Sequence, residues 1–400
     1  MAKENLKTHN SIFTYSSDFM LYKLSENHPF NPIRTKITYD LLKSINSIDE
    51  TEILTPRLAT EKELELGHSK EYIDIVKSIE HTDINKNTLN NYGLGNEDNP
   101  VFKNIHKAGL TIVGATLSAV ENVLNCKYEH ALNLSGGLHH ALYGKASGFC
   151  IYNDIVIAIK YIQKYYNKRV LYVDSDAHHG DAVQWAFYDD PLVCTLSIHE
   201  TGRYLFPGTG NIIERGSGKG YGYTFNVPLD AFTEDDSWLE AYKTSFEEVV
   251  EYFKPDVIIT QNGTDGHCFD PLTHLSLTMN TYKYIPKLAH KIAHDYCDGK
   301  WIALGGGGYD ILRVVPRAWS YIWLEMINWK DDLIDIPISW LNKWQKYSKV
   351  EIPTTWDDPK DMYEPIPRKN EITQKNLLTL KNTLYTISKK HIGNKFLQQP

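Results

Sequence analysis

The feature that most constrains this chain is a short apolar run that stops at once in acid and imidazole. Val170-Leu171-Tyr172-Val173 is β-branched and aromatic, the signature of a buried strand. It runs directly into Asp174-Ser175-Asp176-Ala177-His178-His179-Gly180-Asp181. In extended chain alternate side chains share a face, so Asp174, Asp176 and His178 point one way and His179 the other. Two carboxylates and an imidazole on one face at a strand's end make a hard-to-borderline metal site. A solvated loop can hold the same residue types, but rarely three of them in five positions directly after an apolar strand.

The pattern recurs along the chain. Residues 131–134 read as a core strand followed by Ser135-Gly136-Gly137-Leu138-His139-His140. Adjacent histidines in ideal strand face opposite ways, so using both in one site requires a bend at the glycine pair. Residues 256–260 lead to Asp265, and 301–304 lead to four glycines and Tyr309. Strands are also expected at 12–15 and 193–198. Helices are expected over 35–45, 61–79, 108–124, 155–166, 182–187, 238–253, 286–296 and 376–392. The Asn-rich stretch 82–100 reads as a loop. Strand, site loop and helix in alternation predict an α/β fold: a parallel β-sheet flanked by helices. Ligands in such sheets lie beyond the carboxyl ends of the strands. Residues 1–330 are expected to form one domain, with 331–400 as a polar, helical extension packed on it.

Composition removes several alternatives. Net charge is -8 and the isoelectric point about 6.1, against a general nucleic-acid binder. The five cysteines are odd in number and none sits at C-x-x-C spacing, so neither a disulfide framework nor a thiolate zinc cage is indicated. A reduced cytoplasm fits that usage. Residues 1–10 lack an apolar signal core, and no apolar stretch reaches membrane-spanning length.

Asp176, His178 and Asp265 make a three-ligand metal site with open positions, the mark of a catalytic rather than a structural centre. A metal there can polarise a carbonyl and acidify water towards a pKa of about 7. His139 and His140 are the acid/base candidates, and Asp174 and Asp181 allow two His–Asp dyads. A phenol such as Tyr309, aimed at a developing oxyanion, is a recognised stabiliser. The glycine run before it lacks the Lys-Ser/Thr of a phosphate loop and the G-x-G-x-x-G pattern. Phe149 and Phe206 sit in Gly-flanked loops and are candidates to wall an apolar channel.

Seven motifs occur together: H-P-x-x-P-x-R at 28–34, S-G-G-x-H-H at 135–140, S-G-F-C-x-x-N-D at 147–154, D-x-D-x-H-H-G-D at 174–181, F-P-G-T-G at 206–210, D-P-L at 270–272 and G-G-G-G-Y at 305–309. In these the chain resembles the zinc-dependent histone deacetylase superfamily, with its arginase-like α/β fold, and within it the bacterial acetoin-utilisation deacetylases. The match covers about residues 11–323. The resemblance implies that Asp176, His178 and Asp265 hold Zn²⁺ or Fe²⁺. It implies a tandem acid/base pair, His139 and His140, backed by Asp174 and Asp181, with Tyr309 polarising the acetyl carbonyl. It implies that Phe149 and Phe206 sandwich lysine methylenes, that Gly148 and Leu272 line the channel, and that Arg34 sits at an inner cavity through which acetate leaves. It further implies a structural potassium ion near Asp174, Asp176, His178, Ser197 and Ile198, and a second near Phe187, Val193 and Tyr223. Ala182 and Ser175 depart from the family pattern without removing a ligand. Asp98 is the residue most like the family's substrate-gripping rim aspartate.

The expected activity is therefore hydrolysis of N6-acetyl-lysine to lysine and acetate on a cytoplasmic protein, with acetyl-coenzyme A synthetase as the substrate the group suggests. An acetylpolyamine amidohydrolase would use the same chemistry on a small cationic amide. A catalytically inactive acyl-lysine-binding module is the reading from another class, and the intact metal triad, histidine pair and Tyr309 argue against it.

Overall fold

Among the described residues there are eight strands: β1 Ser11–Thr14, β2 Ile53–Leu54, β3 His130–Asn133, β4 Val170–Asp174, β5 Val193–Glu200, β6 Thr224–Leu229, β7 Val257–Gln261 and β8 Trp301–Leu304. They form one sheet of order β2-β1-β3-β8-β7-β4-β5-β6, with every pair parallel. The structure is a computed structural model that describes residues 10–359, 362, 366–385 and 387. Seven helices of twelve residues or more surround the sheet among the described residues: α1 Ile33–Ser44, α2 Ile105–Leu124, α3 Asp154–Tyr166, α4 Asp235–Phe253, α5 Met279–Cys297, α6 Val315–Met326 and α7 Lys369–Thr383.

Both faces of the sheet are covered, which is why its strands read as continuous apolar runs. Alternation still decides which face each residue serves. Leu132, Leu171, Val173, Ile258, Trp301 and Ala303 pack into a core built with α1, α4, α5 and α6. Ala131, Val170, Tyr172, Val257, Ile259 and Ile302 pack on the other face, against α2 and α3. Trp340, Trp344, Trp356 and Leu380, from the segment after residue 330, join the first of these cores. Asn376 on α7 donates to the hydroxyls of Thr233 and Ser237 at 2.8 and 2.9 Å.

The order of the sheet positions the site. The chain passes from β3 to β4 and leaves room for two strands, which β7 and β8 later fill. One register row then reads Asn133, Leu304, Gln261, Asp174 across β3, β8, β7 and β4. At about 4.8 Å per strand spacing, the four site-bearing strand ends span roughly 14 Å.

Several expected elements differ in extent. The helix expected over 61–79 is two, Glu61–Leu64 and Lys70–Ser78. Between them Gly67 lies so close to Ile157 that a Cβ would meet its side chain at 2.6 Å. His68 Nε2 there accepts from Asn153 N at 2.8 Å, and Ser69 Oγ accepts from Tyr72 N to start the second helix. The helix expected from 286 begins at Met279, with Thr278 as its cap and Pro286 inside it. An interior proline costs about 3 kcal/mol, a cost that the buried face of Met279, Tyr282, Ile285 and Ala289 offsets. Helix α7 begins seven residues before the expected 376–392, whose end, 388–392, lies outside the described residues. The loop 82–100 contains a short helix, Lys86–Asn91, capped by Asn85. Strand β6, not among the expected strands, contains Pro228 and is an edge strand, where proline is tolerated.

Candidate active site

The functional side chains come from strand ends and from the loops, turns and helix starts that follow them, held by buried polar contacts. After β3, His139 N donates to Gly137 O at 3.0 Å, and Gly137 adopts φ +94. This tight turn cancels strand alternation and brings the His139 and His140 rings within 3.9 Å, centroid to centroid. The turn is anchored from below by Asp154 at the start of α3. Its carboxylate accepts from Gly137 N and, at 2.8 Å, from Leu138 N. Asp154 belongs to the S-G-F-C-x-x-N-D motif, so its position in that motif was the available signal for this anchoring role.

The two expected dyads are present. His139 Nδ1 lies 2.8 Å from Asp174 Oδ2, and His140 Nδ1 lies 2.8 Å from Asp181 Oδ1. Tyr172 also donates to Asp174 Oδ2, at 2.6 Å. The dyads differ electrostatically. Burial works against charge on His139, but Asp174 and Asp176 outweigh it and lift that imidazole to about 9. Burial, with the neighbouring His139 charge, pushes His140 down to about 4. A single proton shared by the pair therefore settles on His139, and a cation nearby opposes charge on both.

Asp176, His178 and Asp265 converge, with their donor atoms all within 4.8 Å of one another and all three residues buried. His178 Nδ1 lies 2.8 Å from Asp265 Oδ2 and 3.2 Å from Asp176 Oδ1. Burial and the adjacent Asp176 raise the pKa of Asp265, so two carboxylates crowd a space that only a cation or a proton can neutralise. Two carboxylates and one imidazole suit a divalent ion, so the donor set fits the metal expected from the sequence. Gln261 Nε2 and Gly307 N donate to Asp176 Oδ2 at 2.7 and 2.6 Å and fix its orientation. A Cβ on Gly307 would sit 2.2 Å from Asp265 Oδ2, so close approach to the triad explains a glycine there.

Tyr309 follows that glycine loop. Its backbone N–H donates to Asp270 Oδ2 at 2.8 Å, and its ring stands edge-on to Phe149 with centroids 5.9 Å apart. Burial, with Asp265 and Asp176 adding, raises the Tyr309 phenol well above its ordinary pKa, so it keeps its proton and is a donor. Asp270 and Gln261 are site residues that the sequence reading missed. The signals were the D-P-L motif for the first and a polar residue closing β7 for the second.

The remaining expected residues are placed as follows. Phe206 is about half exposed and stands edge-on to His140 at 5.0 Å. Phe149 also meets His28 edge-on at 4.5 Å, and Asp98, itself exposed, meets His28 through its backbone. Leu272 is half-buried and its N–H donates to Asp270 Oδ1. Gly148 has φ +50, and a Cβ there would lie 2.5 Å from the His140 ring. Arg34, usually a surface type, is buried; it donates to Gly308 O at 3.0 Å beneath the glycine loop and stacks on Phe30 and Trp319. Of the five residues named for potassium, Ser197, within β5, pairs in register with Asp174, the last residue of β4, and Ile198 follows it. Val193 begins β5, while the carbonyls of Phe187 and Tyr223 accept from Asp190 N and Thr195 N.

A histone deacetylase domain model matches residues 28–326. The chain is 60% identical over 378 residues to the acetoin utilization protein AcuC of Bacillus subtilis (strain 168), covering 94% of this chain and 97% of that one. It is 44% identical over 365 residues to the AcuC of Staphylococcus xylosus, covering 91% and 95%. The chain belongs to the histone deacetylase family. Among solved structures, a histone deacetylase homologue from Aquifex aeolicus superposes with a TM-score of 0.81 at 31% identity, covering 92% of this chain and 99% of that one. A histone deacetylase homologue complexed with SAHA gives the same values. The fold is that of the arginase-like deacetylases, and the chain is a hydrolase, a deacetylase of the acetoin-utilisation type.

One packing prediction arises at Gly148. Gly148→Ala must push the His140 ring aside and adopt a left-handed backbone, at a cost of about 1–3 kcal/mol. Thermal unfolding should show that loss, and turnover should fall with it. An unchanged midpoint and unchanged kcat would show that the ring has room to move.

Proposed function

We propose that the chain hydrolyses the amide of N6-acetyl-lysine to lysine and acetate, with Asp176, His178 and Asp265 holding Zn²⁺ or Fe²⁺. The observation that carries this reading is the pair of buried His–Asp dyads facing the convergent triad, with Tyr309 beside them. A divalent cation so held would polarise the acyl carbonyl and acidify the attacking water. The protein's own groups do the rest. Asp174 and Asp181 hold His139 and His140 by Nδ1, leaving Nε2 of each to exchange a proton. His140, which burial holds low, is suited to take the proton from water, and the histidine pair then returns one to the departing lysine nitrogen. Tyr309 donates its hydroxyl to the oxygen on which charge develops.

Phe149 and Phe206 enclose the lysine methylenes, with Gly148 and Leu272 completing the channel and Asp98 gripping substrate backbone at the rim. Arg34 marks the inner cavity by which acetate departs. Potassium beside Asp174, Asp176, His178, Ser197 and Ile198 would brace the strand ends. Residues 1–330 are the catalytic domain in this reading, and 331–400 its extension. The substrate proposed is an acetylated cytoplasmic protein such as acetyl-coenzyme A synthetase. Acetate release from an acetyl-lysine peptide by the metal-loaded protein tests the chemistry, and no release would refute it. Comparison of acetylated lysines in cells with and without the gene tests the substrate.

The channel has its own prediction. Phe206→Ala should lower kcat/KM for acetyl-lysine about tenfold or more, on the ~1–3 kcal/mol scale of an apolar pocket contact. Metal content should be unchanged. An unaltered kcat/KM would remove Phe206 from substrate binding.

A further inference from the structure

A second histidine cluster lies at the amino end of the sheet, away from the site described above. His130 opens β3, whereas the catalytic turn follows the other end of the same strand. His290 and His294 are one turn apart on α5 and so share a helix face. One nitrogen from each of the three imidazoles lies within 4.8 Å of the other two. We propose that His130, His290 and His294 form a second metal site, taking a borderline divalent ion of the Zn²⁺ class.

Five observations support this. His290 Nε2 and His294 Nε2 are 3.0 Å apart. Two imidazoles on one tetrahedral Zn²⁺, at about 2.0–2.1 Å each, bring their nitrogens roughly 3.3 Å apart, so little movement is needed. His290 Nδ1 lies 3.0 Å from Glu325 Oε1 on α6, the carboxylate support that metal-binding histidines use on their far nitrogen. His130 is buried beside them, with the backbone carbonyls of Gly299 and Glu129 near its ring, and no close side-chain hydrogen bond of its Nδ1 has to break for an ion to bind. His294 is exposed and gives an ion its way in. The Trp301 indole closes the inner side, 5.8 Å from the His130 ring and 6.0 Å from the His290 ring.

The plain alternative is a packed cluster in which His290 and His294 share an N–H···N bond. That bond accounts for the spacing of His290 and His294 but not for a third imidazole nitrogen within 4.8 Å of both. Three imidazoles without a carboxylate ligand favour Zn²⁺, Co²⁺, Ni²⁺ or Cu²⁺ over Mg²⁺ or Ca²⁺. A bound ion would pin the start of β3 to α5 and, through Glu325, to α6.

The test counts metal on the full chain, free of any histidine tag, after saturation with Zn²⁺ and removal of excess. The wild type should hold two equivalents, His294→Gln one, Asp265→Asn one, and the double variant none. Loss through Asp265 reports the catalytic centre and loss through His294 the second site, so the two assignments fail separately. In the Asp265→Asn background, Co²⁺ should give the visible absorption of a nitrogen-bound tetrahedral ion. Excess Zn²⁺ should also raise the unfolding midpoint of that variant. Both signals should vanish when His294→Gln is added. Equal metal content in the wild type and His294→Gln, or Co²⁺ absorption indifferent to His294, overturns the proposal.

Discussion

Asp265→Ala should lose the active-site metal and measurable turnover together. Asp265 supplies one of three donors in a fully buried set, and its Oδ2 sits 2.8 Å from the nitrogen of a second, His178. Even the partners that merely support metal ligands are worth 10–100-fold in affinity, so removing a ligand should cost more than about 100-fold. The substitution has a second consequence. Asp265 Oδ1 accepts from the Ala177 N–H at 2.9 Å, and alanine leaves that buried donor unpaired, at a cost of about 1–3 kcal/mol. Asp265→Asn retains an acceptor while removing the charge, and should separate misfolding from ligand loss. Elemental analysis beside a turnover assay reads both variants. Should either one hold as much metal as the wild type, Asp265 is not a ligand.

Tyr309→Phe should fold, hold its metal, still bind a hydroxamate, and lose most turnover. When water attacks an acetyl carbonyl, negative charge grows on the carbonyl oxygen, and a hydroxyl donor placed there stabilises the transition state more than the substrate. The loss of one such donor typically lowers kcat on the order of 100- to 1000-fold, about 2.7–4 kcal/mol. The phenol is suited to this work because burial beside Asp265 and Asp176 keeps it protonated. Its position comes from the backbone bond to Asp270 and from ring packing on Phe149, both of which phenylalanine preserves. A near-wild-type kcat, with metal occupancy verified, would show that Tyr309 only packs.

How much of this was legible beforehand depended on sequence distance. The run from Val170 to Asp181 carries its own evidence, because strand periodicity and abrupt polarity are properties of neighbouring residues. The same holds for the turn at Gly136-Gly137 and for the glycine loop before Tyr309. A parallel sheet with its chemistry at the carboxyl ends follows from these pieces, since buried strands joined by helices admit little else. Local pattern did mislead where packing outweighed propensity. Pro286 marked a helix start that lies at Met279, and Gly67 and Ser69 interrupt what read as one helix.

The residues themselves determined which side chains the strand ends deliver. Only the tertiary structure decided that β7 and β8 enter between β3 and β4, which sets the dyads facing the triad. Strand order depends on which faces bury one another after long crossovers, and no periodicity within a strand encodes it. Arg34 is of the same kind: its place beneath Gly308 is made by residues 274 positions away. So is the cluster of His130, His290 and His294, where a strand start and a helix face meet only because β3 and β8 are neighbours and α5 packs behind them. Short-range chemistry is written in the order of the residues, whereas contacts between distant segments are set by the free energy of burying whole surfaces.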